Sequence, residues 1–258
     1  MKSRRGVALM LALWLIVILS AIGARVATSA RSSISIAGNL RARTSGKYAA
    51  ESGIVTGAES VRARLIAITD RGERAAFLNS LQSTSEGDRI LGDARFAVAY
   101  VDLSSRLDIN AASRAQLARL FSFFTGPAEA ARAADAIRMR VGSDGDLPPR
   151  ADIAYPVLPP ARPLRSLEEL RTIADVSESL AISAAPYLTV DGDGKINRAA
   201  ASDTVLAVAA GSLVDEPSRI LIISRGWLPG QALTHEIQAV YAIDGSNVVL
   251  VRWQERDL

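Results

Sequence analysis

Hydrophobic and polar positions divide this 258-residue chain into stretches with different periods. The first is continuous. Val7 to Ala24 reads VALMLALWLIVILSAIGA, 18 residues without a charge. As a helix it spans about 27 Å, the lower edge of what crosses a bilayer core. Beyond it Ala30, Ile34, Ala37, Tyr48, Val55, Ala58, Val61 and Leu65 recur at mostly three-, four- and seven-residue spacings. That is one apolar stripe of an amphipathic helix. Arg25, Arg31, Arg41, Arg43 and Lys47 fall on other faces. The pattern predicts a single helix from Val7 to about Ile68, roughly 90 Å long, softened by Gly38, Gly46, Gly53 and Gly57.

From Asp70 to Asp93 the chain is polar and rich in Gly, Ser and Asp, and a loop is predicted. In Arg95–Asp102, Phe96, Val98 and Tyr100 alternate with small residues, the mark of a half-buried strand. Three further strands are predicted at Arg219–Ser224, Thr234–Ile243 and Asn247–Trp253, the last two flanking an Asp244-Gly245-Ser246 turn. His235, Ile237, Ala239, Tyr241 and Ile243 share one face of the second.

Between these strands lies a helical insert, 107–186, with an internal echo. Leu107-Asp-Ile-Asn-Ala-Ala-Ser113 leads into a helix through Phe121, and Gly194-Lys-Ile-Asn-Arg-Ala-Ala200 into one through Ala210. In each copy the asparagine, Asn110 or Asn197, is expected to cap its helix. A helix over Ala128–Val141 stops at Gly142, and one over Ser166–Ala174 opens on a Ser166-Leu-Glu-Glu169 capping box. The Pro-rich run Leu147–Pro163 reads as a rigid linker.

Charge narrows the function classes. A formal +3 invites a polyanionic partner, but Lys2, Arg4 and Arg5 sit ahead of the apolar run. Without them 27 basic residues face 27 acidic ones, leaving no global field to draw in nucleic acid. The absence of cysteine excludes a disulfide scaffold and thiol catalysis. A lone histidine, His235, and no Gly-x-Ser-x-Gly elbow leave no nucleophile–base pair, so no enzyme is expected.

Three readings of the N-terminus compete: a secretory signal peptide cut near Ala27-Thr-Ser-Ala30, a plain signal anchor, and a prepilin leader. The apolar run is long for the first. Lys2-Ser3-Arg4-Arg5-Gly6 abutting it resembles the leaders of type IV pilins and type II secretion pseudopilins. The resemblance implies that a prepilin peptidase cuts after Gly6 and methylates the new terminus, Val7. Tyr48-Ala-Ala-Glu-Ser-Gly-Ile54 is similar to the stem register of pseudopilins. The order of Asp108-Ile-Asn110, Ser166-Leu-Glu-Glu-Leu170, Pro186-Tyr-Leu-Thr-Val190 and Gly194-Lys-Ile-Asn197 resembles the K-type minor pseudopilin family along nearly the whole chain. The insert is shorter than in relatives of that type, and the cysteines some of them carry are missing.

The fold so implied is α+β, a pilin-like long transmembrane and stem helix packed on an antiparallel sheet. Its parts would be leader 1–6, stem 7–68, an α/β domain from 69–106 and 187–258, and an inserted all-α subdomain 107–186 akin to SAM-like or helix-hairpin-helix modules. In major pilins a glutamate stands fifth after the cut. Here that position is Leu11, as expected for a subunit at the filament tip with no neighbour ahead, since an unpaired carboxylate in lipid costs several kcal/mol. The implied partners are the I- and J-type minor pseudopilins, the major pseudopilin, the prepilin peptidase and the inner-membrane secretion platform. The implied location is a single pass through the bacterial inner membrane, head in the periplasm.

Asp191-Gly-Asp193-Gly-Lys-Ile-Asn197 could begin a calcium loop, but the twelfth position is Ser202 rather than glutamate, and a solvated Asp-Gly turn is the alternative. Asp144 and Asp146 form a weaker pair. DNA uptake is the rival function. Asn110–Leu117 and Ser166–Leu170 also resemble helix-hairpin-helix modules, yet Phe124-Thr-Gly-Pro127 and Ala174-Asp-Val-Ser177 lack the Gly-hydrophobic-Gly turn that reaches phosphate. A minor pilin of a type IV pilus or a signal-anchored periplasmic binding protein completes the alternatives.

Overall fold

The structure, a computed structural model, describes residues 4–84, 86–142 and 161–258. Residues 1–3, Asp144, Asp146 and the linker from 147 to 160 lie outside the described residues. The stem is one helix, α1 (Arg4–Ala67), of 64 residues. Its exposed part contains a segment long and apolar enough to cross a membrane.

The stem buries only the far end of the stripe expected, Ala58, Val61 and Leu65, while Ala30, Ile34 and Ala37 are exposed. Tyr48 and Val55 are exposed, while Ala42, Ala49, Ala50, Ile54, Val61 and Leu65 are almost fully buried. The inward positions are small because a sheet lies directly against them, and large side chains there would hold it off.

Asp70 ends the stem and starts the next helix. Its side chain accepts from Glu73 N at 2.8 Å, capping α2 (Arg71–Ser80) where a loop was expected. Leu78 and Leu81 from this segment fill the core beside the stem. The supposed loop also contains edge strand β1 (Glu86–Leu91), which turns at Gly92 into β2 (Ala94–Asp102). In β2, Ala94, Phe96, Val98, Tyr100 and Asp102 point inward, as the alternation predicts.

The insert begins at β3 (Leu107–Asp108) and continues through α3 (Arg114–Phe121) and α4 (Pro127–Val141), which ends on a left-handed Gly142. A 3₁₀ segment over Leu167–Thr172 replaces the α-helix expected from Ser166, and α5 (Glu178–Ala184) follows unheralded. Next come β4 (Leu188–Thr189), β5 (Ile196–Asn197), the single-turn α6 (Asp203–Leu206) and β6 (Leu213–Val214). β3 and β4 pair in parallel, as do β5 and β6. The helix expected through Ala210 is thus confined to four residues. The insert's apolar cluster also runs past position 186, taking in Leu188, Ile196, Val205 and Val208, because the short strands return along its base.

The chain closes with β7 (Arg219–Trp227), β8 (Thr234–Asp244) and β9 (Asn247–Asp257). Five strands form an antiparallel sheet in the order β1-β2-β7-β8-β9. The Asp244–Asn247 pair closes the predicted hairpin. β7 and β9 outrun their predicted ends by three and four residues, through Trp227 and Asp257.

Stem and sheet meet at two glycines. A Cβ on Gly46 would come within 3.0 Å of the Gly226 carbonyl oxygen, and one on Gly226 would overlap the backbone of Gly46 and Ala50. We expect Gly226→Ala to cost about 1–3 kcal/mol by forcing helix and strand apart. Gly23→Ala, with nothing within 4 Å, should leave stability unchanged. Denaturant unfolding of the full chain in detergent checks both.

Candidate functional site

For a chain with a helical stem and a compact head, the working parts are the join between them and the way the insert is held. At the lower end of the sheet the stem is clasped by charges. Lys47 Nζ lies 2.8 Å from Glu255, Arg43 lies 2.6 Å from Asp257, and Arg41 lies 2.6 Å from Asp93 in the β1–β2 turn. Buried His235 sits between the two carboxylates of β9, its Nδ1 2.7 Å from Asp257 and its Nε2 3.5 Å from Glu255. His235 is therefore the pivot of a β8–β9–stem network. Prolonging the hairpin pairing from Asp244–Asn247 would have brought residues 256–257 opposite His235, but their charge disguised them as a tail.

The hydrogen bond from Lys47 and that from Trp253 hold the Glu255 carboxyl below its ordinary range. His235, with help from Arg43, does the same for Asp257. On the opposite face Glu236 is fully buried. Burial pushes its carboxyl up, but Arg225, Gln238 and Arg256 together hold it below the usual range.

The insert is fastened by two asparagines. Asn110 Nδ2 donates to the carbonyls of Leu164 and Val190, both at 3.0 Å, and its Oδ1 accepts from Leu164 N at 2.8 Å. Asn197 Nδ2 donates at 2.7 Å to Asn79 on α2 and to Asp102 at the end of β2. Neither caps a helix as expected. Ser113 does so for α3, in a full capping box with Gln116, and Ser202 does so for α6. The asparagines join segments distant in sequence, a use their local context did not disclose. Burial pushes the Asp102 carboxyl up, opposed by its bonds from Asn197 and Ser104.

Ser166 makes no capping bond either. Glu169, its expected partner, instead accepts from Arg165 N at 2.8 Å and lies 3.2 Å from Arg140 and 3.3 Å from Arg162. Asp191 gives both oxygens to Arg252, at 2.6 and 2.8 Å, and Arg252 also reaches the Arg165 carbonyl. Asp193 accepts from Ser218 Oγ at 2.9 Å. The two residues expected as calcium ligands therefore lock the insert to the sheet, and a cation at Asp191 would have to displace Arg252. Among the described residues no three His, Cys, Asp or Glu side chains gather as a metal site.

At the two hairpin turns of the insert, Asp175 adopts φ 65°, in the left-handed region. The Glu129 carboxylate accepts from Thr125 at 2.5 Å and from Ser177 at 3.3 Å, tying the turns together. Asp175 in the second turn and Glu129 just beyond the first set carboxylates against both, a poor setting for phosphate. Gly6 and Val7 are in the helical backbone of α1, and Leu11 is exposed on it. They are far along the chain from the network around His235, and nothing gathers them with Asp191 and Asp193.

Because Glu255 and Asp257 titrate lower in the folded than in the unfolded chain, their stabilisation is complete above the unfolded carboxylate range and is lost as pH falls through the folded values. The thermal midpoint of the native chain should therefore fall on acidification more steeply than that of Glu255→Gln/Asp257→Asn, the curves converging at the acid end. Asn110→Ala should cost about 1–3 kcal/mol by leaving backbone groups of Leu164 and Val190 unpaired. Hydrogen exchange should show the loss at both segments.

No protein-family model matches the chain, and no curated protein matches it. Among solved structures, a chain of the GspK-GspI-GspJ complex from the type 2 secretion system of enterotoxigenic Escherichia coli is similar to it. The TM-score is 0.55 and the identity 11%, over 83% of this chain and 99% of that one. At this identity the likeness is one of architecture: stem, five-stranded antiparallel sheet and further helices together. The protein has a GspK-like fold.

Proposed function

We propose that this chain is a minor pseudopilin of the K type, placed at the tip of the pseudopilus of a type II secretion system, where it primes filament assembly and supports protein export. The observation that carries the reading is the GspK-like fold extending over 83% of the chain. The 18-residue uncharged segment behind Lys2-Ser3-Arg4-Arg5-Gly6 supports it independently, as an anchor retained after leader cleavage. Leu11 fits a leading subunit, since it asks for no cation from a neighbour within the membrane.

In this reading α1 crosses the inner membrane once, with its N-terminus in the cytoplasm and the sheet and insert in the periplasm. The I- and J-type minor pseudopilins are its partners at the tip, the major pseudopilin follows below, and the prepilin peptidase and inner-membrane platform act during assembly. The role is mechanical rather than catalytic. His235 is engaged by Asp257.

The test is mass spectrometry of the N-terminus of the protein taken from its native membrane. The expected chain starts at N-methylated Val7, and in cells lacking prepilin peptidase it keeps its leader. A terminus beyond Ala30, or an intact leader in the presence of the peptidase, would overturn the proposal.

A further inference from the structure

The cations between the apolar segment and Glu51, the first acidic residue of the stem, fall into two groups. Arg41, Arg43 and Lys47 each meet a carboxylate of the head. Arg25 and Arg31 have exposed side chains and no carboxylate partner among the described residues. None is available along their own helix, because no Asp or Glu precedes Glu51 in the sequence. Both follow directly on the apolar segment, on the side opposite the basic leader. Positive charge there runs against the usual asymmetry of membrane proteins, which concentrates Lys and Arg on the cytoplasmic flank. Their positions therefore need a local counter-charge.

Length locates them. Val7–Ala24 covers about 27 Å against a hydrocarbon core of about 30 Å, so Arg25 meets the edge of the apolar layer. Its long side chain can extend from there to the headgroups. Arg31 stands about 9 Å higher, at the outer rim of the headgroup layer. Six residues of helix set the two about 120° apart around the axis. One flat protein surface would reach only one of them. A ring of lipid reaches both.

We propose that Arg25 and Arg31 bind anionic phospholipid headgroups of the periplasmic leaflet, fixing the depth of the stem before a filament forms. Each guanidinium pairs with a phosphodiester, and the two together form a collar around the helix just below the clasp at Arg41–Lys47. This inference rests on the membrane-anchor reading above.

The test uses the full chain reconstituted in bilayers of equal phosphatidylglycerol and phosphatidylcholine, with the lipids retained on the released protein counted by native mass spectrometry. Arg25→Gln/Arg31→Gln should lower the retained ratio of phosphatidylglycerol to phosphatidylcholine by about fivefold per arginine. Arg41→Gln, whose arginine is already paired with Asp93, should leave it unchanged. An unaltered ratio in the double variant overturns the proposal and leaves carboxylates of a neighbouring subunit as the partner. Quenching of Trp14 by lipids brominated on their acyl chains separates the two readings. Quenching with an unaltered ratio sinks the lipid collar alone, whereas absence of quenching shows that the helix is not in the bilayer and sinks the anchor as well.

Discussion

Close approach of the stem to the sheet is the constraint on which the rest of the head depends. At Gly46 against Gly226 backbone meets backbone with little between, while Gly53 leaves room for the side chains of Ser224 and Phe96 and Gly57 for those of Tyr100 and Val98. Around these contacts Ala49, Ala50 and Ile54 are wholly buried, and Phe96, Val98 and Ile222 close over them. The seam uses shape rather than bulk: small side chains lose little rotamer entropy on burial and allow dispersion contacts along several turns. It also fixes the register of β7 against the helix, and so the direction in which every other strand runs.

The same seam decides where the insert can go. β2 ends at Asp102 and β7 begins at Arg219, paired neighbours at the upper edge of the sheet, so everything between them must leave and return there. Asn110, the buried Asn197 and the Asp191–Arg252 pair fasten that excursion at its base. The head thus contains two apolar cores, one under the stem and one within the insert. Polar, geometrically specific bonds join them, which set orientation more sharply than apolar contact does.

How much of this could be read from the chain alone varied with the range of the forces involved. Phe96, Val98 and Tyr100, the 244–247 turn and the stop at Gly142 are local patterns, and they appear where expected. The stem was legible as a helix, yet its buried face was legible only from Ala58 to Leu65. Tyr48 and Val55 stood out by size, whereas the packed positions are alanines and glycines whose value lies in what they permit. Asn110 and Asn197 are equally fit for capping and for bridging. The choice was made by Leu164 and Asp102, 54 and 95 residues away. α2 escaped notice because its first turn is polar, and it owes its place to Leu78 and Leu81 entering a core built by others. For the site, the basic run ahead of the apolar segment and Leu11 were visible as sequence, but the clasp was not. The charges of Trp253-Gln-Glu-Arg-Asp257 resemble a solvated tail until Lys47 and Arg43 are brought beside them.

The final strand has one practical bearing. Leu258 donates its amide to Thr234, beside the place where the stem leaves the head. The chain therefore ends on the flank from which the stem descends, not near the insert. A tag or reporter appended after Leu258 would emerge next to Arg43 and His235, crowding the neck of the molecule. A label meant to report on the distal surface without loading that neck belongs in the Gly245–Ser246 turn at the opposite end of β9.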